Sequence, residues 1–159
     1  MNKVGIVIGS DSDLSVMKET EEILSEFGIS SEMKILSAHR SPDLAASFAK
    51  DAAKNGCKII IAAAGMANHL AGAMAAHTIL PVIGVPLEGS PMGGFDALLS
   101  TVQMPPGVPV ATVAIGRAGA KNAAFLAVEI LALSDTTLQK KLQEYRRKIK
   151  EKILKKNEE

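Results

Sequence analysis

The chain has 159 residues, of which 47% are hydrophobic and 22% are charged, which suits one globular domain with a sizeable core. A formal net charge of +1 argues against a dedicated surface for nucleic acid. The single cysteine, Cys57, excludes an intrachain disulfide. The apolar runs are too short for a signal peptide or a membrane span, so we expect a cytoplasmic protein with no membrane partner.

Two kinds of apolar pattern alternate along the chain. Short runs rich in Val and Ile predict buried strands over residues 3–8, 31–36, 58–63, 81–85 and 109–115. Segments with helical spacing follow these runs, over residues 13–27, 42–55, 67–78, 94–103 and 118–133. The alternation predicts an α/β fold in which helices cover both faces of a parallel sheet.

Several predicted element ends carry their own signals. The pairs Ser12–Asp13 and Ser41–Pro42 favour helix starts after the first two strands. Gly28 and Gly56 stand where the first two helices should end, because glycine accepts the left-handed backbone found there. Residues 87–94 are rich in glycine and predict a flexible loop, long enough to cover a site or to form an interface.

Residues 134–159 form a basic tail after the last predicted helix of the sheet. Residues 140–156 contain nine of the 18 Lys and Arg residues. Apolar side chains recur there at helical spacing, at Leu138, Leu142, Tyr145, Ile149, Ile153 and Leu154. The pattern predicts an amphipathic helix that packs on its own domain or, as we favour, on a neighbouring subunit. A nucleic-acid or membrane arm is disfavoured because Tyr145 is the single aromatic residue among the charges.

Three predicted loops carry the polar groups that suit chemistry. They follow the first three strands, at residues 9–13, 37–41 and 64–70. In open parallel sheets, ligands bind at the carboxyl ends of the strands. We therefore expect these three loops to surround one site.

The first loop offers hydroxyl groups and backbone N–H groups before a helix. It lacks the glycines of a dinucleotide fingerprint, but it suits a single phosphate at the positive end of the helix. Asp13 is able to accept hydrogen bonds from sugar hydroxyls. The alternative is that Ser12 and Asp13 only cap the helix.

The second loop contains His39 beside Arg40. Histidine is the side chain best suited to give and take a proton near neutral pH, and arginine binds phosphate or carboxylate bidentately. His39 is thus a candidate general acid and base, with a structural or surface role as the alternative. His69 and His77 are poorly spaced on a helix for a metal, so we expect no metal site. No nucleophile motif is readable, and covalent catalysis is not indicated.

Four ordered motifs match a known family. They are Gly9-Ser10-x-Ser12-Asp13, Ser37-Ala38-His39-Arg40-x-Pro42, Ala64-Gly65-x-Ala67-x-His69-Leu70 and Gln103-Met104-Pro105-x-Gly107-x-Pro109-Val110. Residues 114–123 add a fifth. Together they closely resemble the bacterial PurE enzymes of purine biosynthesis, which are N5-carboxyaminoimidazole ribonucleotide mutases, over about residues 3–133.

The resemblance implies a flavodoxin-like three-layer α/β/α sandwich and a homo-octamer. It also implies an isomerase, without cofactor or metal, whose ribonucleotide substrate loses its carboxyl group from N5 and regains it on C4. Residues 1–133 would then be the catalytic domain and residues 134–159 a basic helix added to it.

The resemblance also assigns roles to single residues. It makes His39 the general acid and base. It places Ser12 on the phosphate and Ser10, Asp13 and Arg40 among the substrate-binding residues, together with the motif positions Gly9, Ser37 and Ala38. Gly65, Ala67, His69 and Leu70 match the pocket around the migrating carboxyl group.

This sequence departs from the family at two positions beside that pocket. The family commonly has Ala where this chain has Asn68, and Pro where it has Ala71, which bears on the stiffness of the loop. Animal-type relatives, which carboxylate aminoimidazole ribonucleotide directly with CO₂, tend to have Arg-Ser-Asn after the glycine. Residues 66–68, Met-Ala-Asn, resemble the mutases better, and direct carboxylation is the alternative. A nucleotide-binding regulatory module without turnover is the alternative from another class.

Overall fold

The computed structural model describes residues 2–157, which form a parallel sheet and six α-helices. The strands are β1 (Lys3–Ile8), β2 (Ser30–Ile35), β3 (Cys57–Ala64), β4 (Val82–Pro86) and β5 (Ala111–Thr112). The helices are α1 (Leu14–Glu26), α2 (Pro42–Asp51), α3 (Leu70–Ala76), α4 (Phe95–Val102), α5 (Gly116–Ala132) and α6 (Thr136–Lys156). Met1, Glu158 and Glu159, which the divisions 1–133 and 134–159 include, lie outside the described residues.

The strand order is β2-β1-β3-β4-β5, and every pairing is parallel. This is the flavodoxin-like order, in which β2 lies on one side of β1 and the later strands follow on the other side. Helices α1 and α5 cover one face of the sheet, and α2, α3 and α4 cover the other. The predicted three-layer α/β/α sandwich is therefore confirmed.

The central strands are buried on both faces, because helices lie above and below them. Ile6 and Ile61 face the core shared with α1 and α5, whereas Val7 and Ile60 face the core shared with α2 and α3. All four side chains are fully buried. Small residues on the helices let these layers approach closely, which explains how a chain with 3% aromatic residues fills its core.

Three predicted elements differ from the structure in their burial or in their bounds. The second strand is a partly exposed edge strand and not a buried one, with Lys34 and Ile35 open to solvent. The fifth strand is limited to Ala111–Thr112, since it lies at the other edge and prolines precede it. The third helix begins at Leu70 and not at residue 67.

Gly28 follows the end of α1 as predicted, whereas α2 ends at Asp51, before Gly56. Gly28 and Gly56 have φ angles of +79° and +84°, in the left-handed region. Their N–H groups donate to the carbonyl oxygens of Ser25 and Ala53, three residues earlier. The predicted end of α1 is confirmed, whereas Gly56 ends the turns that follow α2 and not the helix itself.

The first half of α6 packs on its own domain. Its N-terminus is capped by Asp135, whose carboxylate accepts from the N–H groups of two following residues. Leu138 is buried, and the Tyr145 ring contacts the rings of Phe27 and Phe125. The second half leaves three apolar side chains exposed, at Ile149, Ile153 and Leu154. Within residues 2–157, no helix has the length and apolar character to cross a membrane.

Candidate active site

A cavity of about 860 Å³ opens at the carboxyl ends of β1, β3 and β4. The three predicted loops all contribute to it. Of the predicted site residues, those that line it are Gly9, Ser10, Ser12, Asp13, Ser37, Ala38, His39, Arg40, Gly65, Ala67 and Leu70. His69 joins them through a direct contact with His39. Residues up to 61 positions apart in the sequence thus meet at the carboxyl ends of the strands, as predicted.

The first loop is folded by a reciprocal pair of hydrogen bonds. The N–H of Ser10 donates to Asp13 Oδ2 over 3.1 Å, and the Ser10 hydroxyl accepts from the N–H of Ser12. This capping box surrounds a short 3-10 turn, Asp11–Asp13, which leads into α1. Ser10 is therefore the capping residue, and not Ser12 as the sequence suggested.

Asp13 is half-buried beside the cavity. Burial raises the pKa of its carboxyl group, while the hydrogen bonds from the Ser10 N–H and the Ser12 side chain act in the opposite direction. A carboxylate that has lost part of its hydration is a strong acceptor for a ligand hydroxyl. Its capping contact and its place in the cavity lining are compatible, since a carboxylate has two oxygens.

The second loop is a tight turn that presents His39 and Arg40 to solvent. The Ser37 hydroxyl accepts from the N–H of Arg40 over 3.1 Å. The Ser41 hydroxyl accepts from the N–H of Ser37 over 2.9 Å and donates to the Ser37 carbonyl. Ser41 therefore closes the loop and makes no side-chain cap for α2, although that helix begins at Pro42 as predicted.

His39 and His69 form a direct contact. Nε2 of His39 lies 2.8 Å from Nδ1 of His69, and the rings meet edge to face at 77°. In a neutral pair, one ring donates its proton and the other accepts it. His69 is the residue before the first turn of α3, whereas the sequence placed it within that turn.

The loop that carries His69 is fastened at Asn68. The N–H of Asn68 donates to the Ser100 hydroxyl over 2.9 Å, which links the loop to α4. Its side chain is fully buried, and Nδ2 donates to the Val85 carbonyl over 3.3 Å. Oδ1 has no hydrogen-bond partner among the described residues. The buried amide thus holds the loop to β4.

The cavity has a fourth side, formed by residues that were not among the predicted site residues, although segment 87–94 was predicted as a possible cover. Leu87, Glu88 and Gly89 follow β4, and Gly116 and Arg117 begin α5. A Cβ atom on Gly116, which has φ +71°, would lie 3.1 Å from Glu88 Oε1, so the carboxylate rests against the start of α5. Both segments follow predicted strands. Because ligands bind at the carboxyl ends of parallel strands, these residues were also candidates for the site.

Charged groups lie unevenly around the cavity. Arg117 is paired with Glu19, which also contacts Lys121 over 3.1 Å. Arg40 makes no ion pair with any residue in the range 2–157, and its guanidinium is exposed at the mouth.

Among residues 2–157, no three His, Cys, Asp or Glu side chains converge as a metal site would require.

Comparison with known proteins places the chain in a family. A model described as AIR carboxylase matches residues 3–152. The chain is 53% identical over 156 residues to the "N5-carboxyaminoimidazole ribonucleotide mutase" of Thermotoga maritima, covering 98% of this chain and 90% of the relative. The relative of the same name from Bacillus subtilis is 51% identical over 151 residues, covering 95% and 93%.

A solved structure agrees with this assignment. The crystal structure of Treponema denticola PurE superposes with a TM-score of 0.88 at 29% identity, covering 98% of this chain and 96% of that one. Sequence and fold therefore agree over almost the whole length. The chain belongs to the AIR carboxylase family, the PurE family that its motifs resemble.

Proposed function

We propose that this protein is an N5-carboxyaminoimidazole ribonucleotide mutase of purine biosynthesis. The reaction moves the carboxyl group from N5 to C4, giving 4-carboxy-5-aminoimidazole ribonucleotide. The observation that carries this proposal is the His39–His69 pair at a cavity of nucleotide size, in a chain about half identical to relatives of that name. The enzyme is an isomerase, since no atom is gained or lost overall.

The ribonucleotide is held by the first two loops. Ser12 and the backbone N–H groups before α1 bind the phosphate, where the helix dipole favours negative charge. Arg40, which is free of ion pairs within the described residues, adds a second phosphate contact. Asp13 accepts hydrogen bonds from the ribose, and Ser10, Gly9, Ser37 and Ala38 complete the wall. We propose that the imidazole ring then lies over His39.

One proton serves both halves of the reaction. Protonated His39 gives its proton to N5 as the N5–carboxyl bond breaks, which releases CO₂ and leaves aminoimidazole ribonucleotide. C4 of this electron-rich ring attacks the CO₂ and forms the new carbon–carbon bond. Neutral His39 then removes the proton from C4, which restores the aromatic ring and the protonated histidine.

His69 orients His39 through their hydrogen bond. A base whose ring is fixed by a second group is better placed for proton transfer than a free side chain on an exposed loop. Gly65, Ala67 and Leu70 form the pocket for the carboxyl group, with backbone N–H groups near the start of α3 as its donors.

Substrate choice separates the mutase from direct carboxylation. The protein is incubated with aminoimidazole ribonucleotide and low bicarbonate, and in parallel with the N5-carboxylated compound. We expect efficient product formation only from the second. Rapid carboxylation of aminoimidazole ribonucleotide at low bicarbonate would instead assign the carboxylase activity, and turnover of neither compound would favour a binding module.

We also propose that the protein works in the cytoplasm as a homo-octamer. Two surfaces support self-association. Phe95, Leu99 and Val102 form an exposed apolar row on α4, at the spacing of one helix face. The distal half of α6 exposes the second apolar surface described above. Apolar groups on two separate elements suit an assembly with more than one kind of subunit contact.

A further inference from the structure

Met66 has an unusual backbone for its residue type. Its φ angle is +55°, and it is the one non-glycine residue with positive φ within residues 2–157. A side chain is disfavoured in this left-handed region, where glycine is the usual occupant. The position lies between Gly65 and Ala67, in the loop that carries His69. Strain of this kind is often kept where the side chain has a use.

The Met66 side chain also differs from the other apolar groups of the cavity. It lines the cavity and is 61% exposed, whereas Leu70 and Leu87 are each 2% exposed and packed in the core. Methionine has three rotatable side-chain bonds and adapts to irregular surfaces. Met66 is thus the large apolar group of this wall that is free to change its position.

The proposed reaction needs an apolar group that covers the site. His39 and His69 are exposed in the single subunit, so its own loops leave the reacting atoms in a site that is open to water. The inference rests on the proposed function, in which CO₂ exists free between two steps. An open site would lose CO₂ to solvent, and enzymes prevent such losses by covering the reaction.

We propose that Met66 is a positioning residue that folds over the bound ribonucleotide and retains CO₂ until C4 captures it. The Met66 side chain lines the cavity and is not packed in the core, so it is available to cover a ligand. Ligand binding buries the methionine, which offsets part of the backbone strain. Met66 takes no part in proton transfer, so its loss should change the fate of CO₂ more than the rate of decarboxylation.

An isotopic label in the migrating carboxyl group tests this proposal. The N5-carboxylated substrate carries ¹³C in that group, and the label is followed into product and into bicarbonate, with enzyme-free incubation as the background. We expect Met66→Gly to fold normally, because glycine suits the left-handed backbone. It should release about fivefold more label to bicarbonate than the parent protein. Met66→Leu, which restores apolar bulk, should retain the label.

A matched control removes an exposed apolar side chain elsewhere. Leu133→Ala changes a residue that is 83% exposed between α5 and α6, remote from the cavity, and label retention should equal that of the parent. Full retention in Met66→Gly would overturn the proposal, as would equal loss in Met66→Leu. A parent protein that never converts the substrate would instead overturn the proposed function.

Oxidation of Met66 gives a readout that does not depend on turnover. Peroxide oxidises exposed methionines, and the rate is followed at each site by mass spectrometry. Adding the product nucleotide should slow oxidation at Met66 severalfold. Met33, which is partly exposed on β2 and does not line the cavity, provides the internal comparison. An unchanged rate at Met66 with nucleotide bound would contradict its burial.

Discussion

The ring of His39 touches the ring of His69 at 2.8 Å, although 30 residues separate them in the sequence. The loop after β2 carries the first histidine and the loop after β3 carries the second. Each loop is fixed by its own hydrogen bonds, through Ser41 and Asn68 respectively. The relationship between the two rings is therefore built by the sheet edge, and the proposed proton chemistry depends on it.

Replacing His39 should abolish turnover while leaving nucleotide binding intact. We expect His39→Asn to lower kcat by about 10²–10⁴-fold, the usual contribution of a general acid–base group. Asparagine is of similar size and hydrogen-bonding character but does not transfer a proton at neutral pH. Steady-state kinetics and calorimetric titration with the product nucleotide check the two statements.

His77→Asn is the matched control for that change. His77 is exposed at the C-terminal end of α3, whereas His69 precedes its N-terminal end. Its replacement should leave kcat and KM within twofold of the parent values, because neither substrate nor the pair is near. A His39→Asn protein that keeps normal kcat would remove His39 from the acid–base role.

The orienting role of His69 predicts a smaller and more selective effect. His69→Ala removes the partner of His39 Nε2 but leaves His39 itself in place. We expect kcat to fall by about tenfold or more with a modest change in KM, because the loss is one of ring orientation. Kinetics over a range of pH should also show a displaced acid–base profile. An unchanged profile together with an unchanged kcat would argue that the contact has no role in catalysis.

The position of His39 at the site could be predicted from the sequence, whereas the geometry of the loop that carries His69 could not. His39 could be placed at the site because polar groups that follow strands meet at one sheet edge. The start of α3 was predicted too early, because Met66 and Ala67 continue the apolar spacing of the helix. The left-handed backbone at Met66 prevents helix there, and no propensity predicts a methionine in that conformation. Pairing with His69 depends on that loop geometry and was invisible beforehand.

The Asp13 carboxylate should lower the stability of the fold near neutral pH while it strengthens binding of the ribonucleotide. Burial raises its pKa, so ionisation is less favourable in the folded protein than in the unfolded chain. The folded state therefore binds the proton more tightly, and stability falls as pH rises from the unfolded value of 3.8 through the folded value. Asp13→Asn removes this penalty and still accepts from the Ser10 N–H.

Thermal unfolding at two pH values checks this prediction. Asp13→Asn should be more stable than the parent near neutral pH, and the difference should shrink as pH falls through the raised folded pKa and disappear below 3.8, where both side chains are neutral. Affinity for the ribonucleotide should fall at the same time, because the amide is a weaker acceptor for ribose hydroxyls. A variant that loses stability at neutral pH would show that the carboxylate is needed for the capping box.

Removing the Asn68 side chain should cost less stability than removing the Ser100 hydroxyl that accepts from the Asn68 N–H. Asn68→Ala loses the 3.3 Å bond to Val85 but also removes the unpaired Oδ1, so the free energy of unfolding should change by no more than about 1 kcal/mol. Ser100→Ala leaves the Asn68 N–H without its partner and should cost about 1–3 kcal/mol. Denaturant unfolding of both variants checks the order, and a larger loss in Asn68→Ala would reverse the interpretation.

The two halves of α6 should separate folding from assembly. Leu138 and Tyr145 complete the core, so removing all of residues 134–159 would expose apolar surface whatever the assembly. A chain that ends at residue 147 keeps these contacts and loses Ile149, Ile153 and Leu154. We expect this shorter chain to keep its secondary structure and to lose the highest oligomeric state, measured by light scattering after size exclusion.

Polar replacement of the same three side chains distinguishes an apolar contact from a charge effect. Changing Ile149, Ile153 and Leu154 to Ser leaves every Lys and Arg of the tail in place. Each of the three is about half exposed and makes little contact with its own domain, so the thermal stability of the subunit should hardly change. Assembly should weaken as in the shortened chain, because its apolar surface is gone while its charge is not. An octamer that survives both changes would place its contacts on other surfaces, with the apolar row of α4 as the next one to alter.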